Sequence, residues 1–230
     1  MESLHSSKQD FLTACSDNNL VIPESRLRLL ERYVSLLLTQ NKNLNLISRK
    51  DEENIWTSHI LHCTGLLFHR KFPSGVRVFD LGTGGGLPGV LYAILHPELP
   101  FTLLDATRKK IDAVQSMVNE LHLRNVRTVW GRAEEIGKQA DYIGKFEIVV
   151  ARGVAQLEKL TKWAKPLLIA EDATGSEYPS IIPVRSLVAF KGGDIEHEIN
   201  TVGKRIRFRK IDVISLDYGE DKKILILTPL

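Results

Sequence analysis

The stretch VFDLGTGGGLPG, Val78 to Gly89, sets five glycines directly behind a short apolar run that carries an aspartate. Such a run reads as a buried strand, and the glycine-rich turn that follows, opening onto Pro88 and a helical pattern, lets backbone approach a ligand closely. That strand–loop–helix unit confines the chain to α/β architectures. The alternation then repeats. FTLLD reads as a second strand, KKIDAVQSMVNEL as a helix with Ile111, Val114, Val118 and Leu121 on one face, VRTVW and FEIVVAR as strands three and four, and LEKLTKWAKPLL as another helix. SLVAF is the fifth strand, DIEHEINTVG a short helix, and RIRFRKIDVISL with GEDKKILILT a closing pair joined through a polar turn. The expected fold over residues 73–230 is a seven-stranded, mostly parallel sheet ending in an antiparallel hairpin.

No strand pattern precedes Val76. Leu27, Leu30, Val34 and Leu37 recur at helical spacing behind Pro23, and Ser48 with Asp51 stands as a capping-box pair before a helix bearing Ile55, Trp56, Ile60, Cys63 and Leu67. Residues 1–72 are therefore expected to form a helical extension, and the Gly, Ser, Pro and acidic residues from Glu171 to Pro183 a flexible excursion. MESLHSSKQD lacks the basic start and apolar core of a leader, and no apolar run reaches the roughly 18 residues of a membrane span. Two cysteines, Cys15 and Cys63, are too few for a disulfide framework or a four-ligand zinc site. The expectation is a soluble cytoplasmic monomer without a metal.

Three readings of the glycine loop compete: an inert turn, a nicotinamide dinucleotide loop, and the S-adenosylmethionine loop of a methyltransferase. Gly84, Gly86 and Gly89 satisfy the dinucleotide spacing, and Asp105 follows at about the 20 residues expected of a ribose-binding acid. Methyltransferases place an acid there as well, so the spacing does not decide. Asp80 does discriminate, because a carboxylate beside the loop attracts a sulfonium cation and repels a diphosphate. The closing hairpin points the same way, since dinucleotide domains usually continue into a substrate domain. A strand-end turn cap is the alternative reading of Asp80.

The chemistry narrows further. The Asp/Asn-Pro-Pro-aromatic loop common in exocyclic amine methylation is replaced after strand four by ARGVAQ, and both cysteines lie in the helical first third, away from the strand ends where a pyrimidine-attacking thiolate belongs. What survives is a nucleophile with its own free lone pair, such as a ring nitrogen.

Seven segments in order, NKNLNLIS, HILHC, FDLGTGGGLPG, LLDATRKK, GRAEE, VVARGVAQL and AFKGG, resemble the bacterial small-subunit ribosomal RNA guanine-N7 methyltransferases, the GidB or RsmG family. The resemblance covers about the whole chain. It implies a Rossmann-like class I methyltransferase that moves a methyl group from S-adenosylmethionine to N7 of a guanine in the decoding-region loop of 16S ribosomal RNA, with the RNA or the small subunit as partner. By position it implies cofactor contacts from Gly82, Leu87, Ala133, Glu134 and Arg152; Gly84 of the same loop, Asp80 and Asp105 suit the cofactor physically. A dinucleotide-dependent oxidoreductase and a non-catalytic RNA-binding module on the same fold are the alternatives. The chain departs from the family where His62 replaces an aspartate, where Gly153 replaces alanine, in the length of the 171–183 excursion, and at Lys222 and Lys223.

With a net charge of only +3, an RNA footprint has to come from local clusters. Arg49, Lys109 and Lys191 are the residues expected to meet RNA phosphates; Lys109 and Lys191 match family positions beside the pocket. Asn41, Asn45 and Ser48 are candidates for the same opening. The alternation of Arg205, Arg207 and Arg209 fits either a phosphate contact or the wet face of an edge strand. His59 reads as a packed helix residue.

Overall fold

The computed structural model describes residues 2–170, 179–204, 206–218 and 221–230. Most of the expected 171–183 excursion, and Arg205, lie outside these residues. The first helices are α1 (Glu2–Asp17) and α2 (Glu24–Leu44), then a tight turn at Arg49–Asp51, a wide turn at Trp56–Ile60, and α3 (Leu61–His69). The alternating part follows as β1 (Val78–Leu81), α4 (Gly89–Leu95), β2 (Phe101–Asp105), α5 (Arg108–Glu120), β3 (Val126–Trp130), α6 (Ala133–Ile136), β4 (Ile148–Arg152), α7 (Leu157–Ala164), β5 (Ser186–Gly192), α8 (Glu196–Gly203), β6 (Phe208–Ser215) and β7 (Lys222–Pro229).

The strands form one sheet in the order β3-β2-β1-β4-β5-β7-β6, parallel from β3 to β5, with β7 antiparallel to both its neighbours. This is a Rossmann-like methyltransferase topology. The order reverses between β1 and β4, which opens a crevice above their C-terminal ends, the usual ligand position in such sheets. Side chains alternate between two cores. Val78, Val150, Val188 and Ile226 face the N-terminal helices with α4 and α5, whereas Phe79, Val149, Leu187 and Leu227 face α7 and α8. Burial on both sides is why these strands read as continuous apolar runs.

Helix α2 supports the glycine loop from behind. Tyr33, fully buried, donates its hydroxyl hydrogen to Gly85 O at 2.9 Å, and a Cβ at Gly85 would lie 2.8 Å from Leu37 Cδ1. The helix approaches that closely only because the loop residue has no side chain.

One local expectation differs from the structure. Ser48 makes no capping hydrogen bond, and Asp51 instead brings its Oδ2 to 3.1 Å from His59 Nε2. The carboxylate is drawn to a tertiary partner, so the capping box goes unused and the regular helix starts later. Helix α1 falls within the expected 1–72 helical stretch but is not delimited by the sequence pattern, because its buried stripe is broken by Ser7, which donates to Leu4 O at 3.1 Å and Glu53 O at 3.2 Å. Of the alternating arginines in the described residues, Arg209 lies on β6, the outermost strand, and Arg207 directly precedes that strand, both exposed and beside the C-terminal end of β7. Since β7 runs antiparallel to β5, they sit at the opposite end of the sheet from the glycine loop, and the edge-strand reading fits them.

Replacing Tyr33 by Phe leaves Gly85 O without its buried donor. The expected loss is about 1–2 kcal/mol of unfolding free energy, measured by urea denaturation; an unchanged midpoint would show that the bond does not hold the loop.

Candidate active site

The loop after β1 is held by two carboxylates. Asp80, completely buried, accepts hydrogen bonds on Oδ2 from Thr83 Oγ1 at 2.6 Å and from the Gly89 amide at 2.9 Å, so one oxygen ties both ends of the loop. Its Oδ1 has no hydrogen-bond partner among the described residues. Burial, with a smaller contribution from the Asp105 charge, pushes its carboxyl up to about 7 despite the Thr83 and Gly89 bonds. Asp105, at the end of β2, accepts from the Gly84 amide at 2.9 Å and from the Thr107 amide at 2.8 Å. The Gly82 and Thr83 amides donate to Leu104 O at 2.9 and 2.8 Å. Gly82 has a φ of +76°, and a Cβ there would come within 2.5 Å of Val154.

Two cavities flank Asp105. The larger, about 420 Å³, is lined by Gly82, Gly84, Leu87, Asp105 and Arg152, with Leu46–Ser48 closing one side. The smaller, about 160 Å³, is a slot between Gly82, Asp105 and the Gly131–Glu134 segment. Gly82, Asp105, Ala106 and Val154 border both. The structure thus brings Gly82, Gly84, Leu87, Asp105, Ala133, Glu134 and Arg152 to one continuous crevice. Asp80 borders neither cavity; it lies behind the loop and shapes it.

At the far wall Arg152 leaves β4 half-buried and directs Nη2 to His59 Nδ1. Arg152 can only donate, so Nδ1 is the acceptor and the imidazole proton sits on Nε2, facing Asp51. Burial, then the Arg152 charge, holds His59 down to about 4. His62, beside it and edge-on to Phe190, is held down to about 3 by burial, Arg152, Lys222 and His59. The Arg152 charge also bears on the buried Cys63, whose thiol burial pushes up to about 11. Cys63 therefore lies nearer the crevice than its position in the sequence suggests, yet is no thiolate at neutral pH.

Of the expected phosphate ligands, Arg49 and Lys109 are exposed, whereas Lys191 forms an ion pair with Glu198 at 2.8 Å and donates to Ala155 O at 3.2 Å. Ser48 borders the larger cavity; Asn41 is buried behind it, bonded to the Ile47 amide at 2.9 Å and to Glu52 at 2.6 Å. The sequence reading gave no site role to Thr83, Leu46, Ile47 or Val154, which line the larger cavity. Only Thr83 carried a signal, a hydroxyl three residues after an aspartate, as in side-chain-stabilised turns.

The paired histidines set a pH dependence. Unfolded, they take up protons near 6.5; folded, they resist to about 4 and 3. The unfolded state then binds more protons, so stability is full above pH 6.5 and falls below it. Asp80 acts oppositely, favouring the folded state as pH falls from about 7. Comparing wild type with His62→Gln at each pH cancels that term. Denaturation from pH 7 to 4 is expected to show wild type losing stability relative to the variant at up to about 1.4 kcal/mol per pH unit; parallel profiles would contradict the placement of His62.

Comparison with known proteins agrees with this geometry. The family described as rRNA small subunit methyltransferase G (GidB) matches residues 26–225. A ribosomal RNA small subunit methyltransferase G of Chlorobium phaeobacteroides is 38% identical over 187 residues, 81% of this chain and 76% of that protein. The protein of the same name from Moorella thermoacetica is 30% identical over 216 residues, 92% and 85% of the two chains. Among solved structures, a predicted O-methyltransferase of Agrobacterium tumefaciens superposes with a TM-score of 0.54 at 12% identity, covering 72% of this chain and 80% of its own. A fibrillarin/Nop5p complex chain gives 0.51 at 14% identity, covering 69% and 74%. The structural likeness establishes the fold, and the sequence relationship over most of the chain establishes that this protein belongs to the GidB family of ribosomal RNA small-subunit methyltransferases.

Proposed function

We propose that this chain transfers the methyl group of S-adenosylmethionine to N7 of a guanine in 16S ribosomal RNA. The residues present suit that cofactor. Asp105 keeps acceptor capacity beyond its two amide bonds and borders both cavities, as a ligand for a ribose diol must. Ala133 and Glu134 edge the slot that suits an adenine, and Arg152 offers a cation to an amino-acid carboxylate. Asp80 lies behind the loop with one buried oxygen lacking a partner among the described residues, and a sulfonium cation above the loop would favour its ionised form. A diphosphate in the same place would face the Asp105 carboxylate, which disfavours the dinucleotide reading. When bound, the cofactor supplies an electrophilic methyl on a positively charged sulfur.

The observation that carries the N7 assignment is the state of His59. Besides Asp105, which is assigned to the ribose, it is the base on the cavity wall among the described residues, but its Nδ1 lone pair is taken by Arg152 and protonation is pushed down to about 4. Exocyclic amines and ribose hydroxyls must lose a proton during methylation. Guanine N7 presents an in-plane lone pair and loses none, so the wall has only to align it and exclude water. Cys63, protonated at neutral pH, supports the same conclusion against a covalent pyrimidine route. Exposed Arg49 and Lys109 beside the opening are proposed to neutralise RNA phosphates.

Incubation with methyl-labelled S-adenosylmethionine and small ribosomal subunits lacking the modification, followed by nucleoside mass spectrometry, is expected to give 7-methylguanosine, and Cys15→Ala/Cys63→Ala to turn over within about twofold of wild type. Methyl on an exocyclic amine, a ribose oxygen or a pyrimidine carbon would overturn the mechanism. RNA binding without methyl incorporation would favour a non-catalytic module.

A further inference from the structure

Trp130 ends the edge strand β3 in register with Asp105, and its side chain is 57% exposed. It is the one aromatic among the exposed large apolar side chains of the described residues. The indole does not swing freely: Nε1 donates to Ala106 O at 3.1 Å, and the Arg108 guanidinium lies 5.3 Å from the ring centroid, itself tied to Asp112 at 2.9 Å. Ala106, Gly131 and Arg132 next to it border the smaller cavity; Arg132, two residues on from Trp130, is exposed, as is Lys109, which directly follows Arg108. A rigid, wet aromatic face ringed by cations beside a crevice is the chemistry that holds an unpaired nucleobase by stacking while its phosphates meet the basic groups.

We propose that Trp130, backed by Arg108, is a stacking platform for an unpaired RNA base at the rim of the crevice, a substrate contact separate from the phosphate ligands. The proposal builds on the reading of the substrate as RNA, but its readout is binding and not methyl transfer. An adenine held in the neighbouring slot is the competing occupant. The platform selects unpaired strands, because a base within a duplex already has both faces stacked. It adds no charge and therefore no salt dependence.

Binding of a fluorescein-labelled oligoribonucleotide of about 12 nucleotides, unpaired or annealed to its complement, separates the possibilities. Trp130→Ala is expected to bind the unpaired strand about tenfold more weakly, to lose the preference over duplex, and to keep the wild-type salt slope. Trp130→Phe, which keeps a stacking face but cannot donate to Ala106, is expected to stay within about twofold of wild type. Lys109→Ala is the contrasting case, with a flatter salt slope. S-adenosylmethionine affinity, by calorimetry, stays unchanged in both tryptophan variants. Equal RNA affinity in Trp130→Ala overturns the platform. So does Phe falling with Ala, which would assign the effect to the Ala106 bond, or a loss confined to S-adenosylmethionine affinity, which would assign the ring to adenine. Failure of the wild-type protein to methylate RNA would instead contradict the proposed reaction and leave this binding comparison readable.

Discussion

A single carboxylate oxygen, Asp80 Oδ2, ties the hydroxyl of Thr83 to the amide of Gly89, and so pins both ends of a loop whose glycines have no side chains to pack. A loop so rich in glycine is entropically costly to order. The restraints come from around it: Asp105 takes the Gly84 amide, Leu104 O takes two more amides, and Tyr33 reaches Gly85 O from the N-terminal helices. Both cavities exist because this loop is held open in one shape. Asp80 bears the cost, buried with one oxygen lacking a partner and a carboxyl raised to about 7.

That restraint explains the role of the helical first third. Leu37 and Tyr33 close the rear of the loop, Leu46–Ser48 close one side of the larger cavity, and His59 with Cys63 receives Arg152 from the sheet. A Rossmann-like sheet alone would leave the crevice open there. Arg152 consequently stands among neutral groups, His59, His62 and Cys63, and forms no salt bridge with a carboxylate among the described residues. His62, at the position where the family usually carries an aspartate, contributes to that condition.

Sheet and loop were readable from sequence because their causes are local. Strands buried on both faces are apolar throughout, and a glycine run between strand and helix has few uses. Interactions across long stretches of chain were not. In sequence Asp80 reads as a cofactor-side carboxylate with a turn cap as the alternative, and only the geometry shows it bonded inside the loop and away from both cavities. The pairing of Lys191 with Glu198, of Asp51 with His59, and of Trp130 with Ala106 depends on tertiary placement that no spacing rule encodes. Helix α1 is expected only as part of a helical extension and is not delimited, because its buried stripe includes Ser7, whose hydroxyl is satisfied by backbone on another segment.

The central claim is that the loop is shaped and charged for a sulfonium nucleoside and against a dinucleotide. Titration calorimetry of the unmodified protein against S-adenosylmethionine and against NADH tests it most directly. The account predicts saturable single-site heat with S-adenosylmethionine, competed by S-adenosylhomocysteine, and none above dilution with NADH. Saturable NADH binding, or binding tighter than that of S-adenosylmethionine, would contradict it.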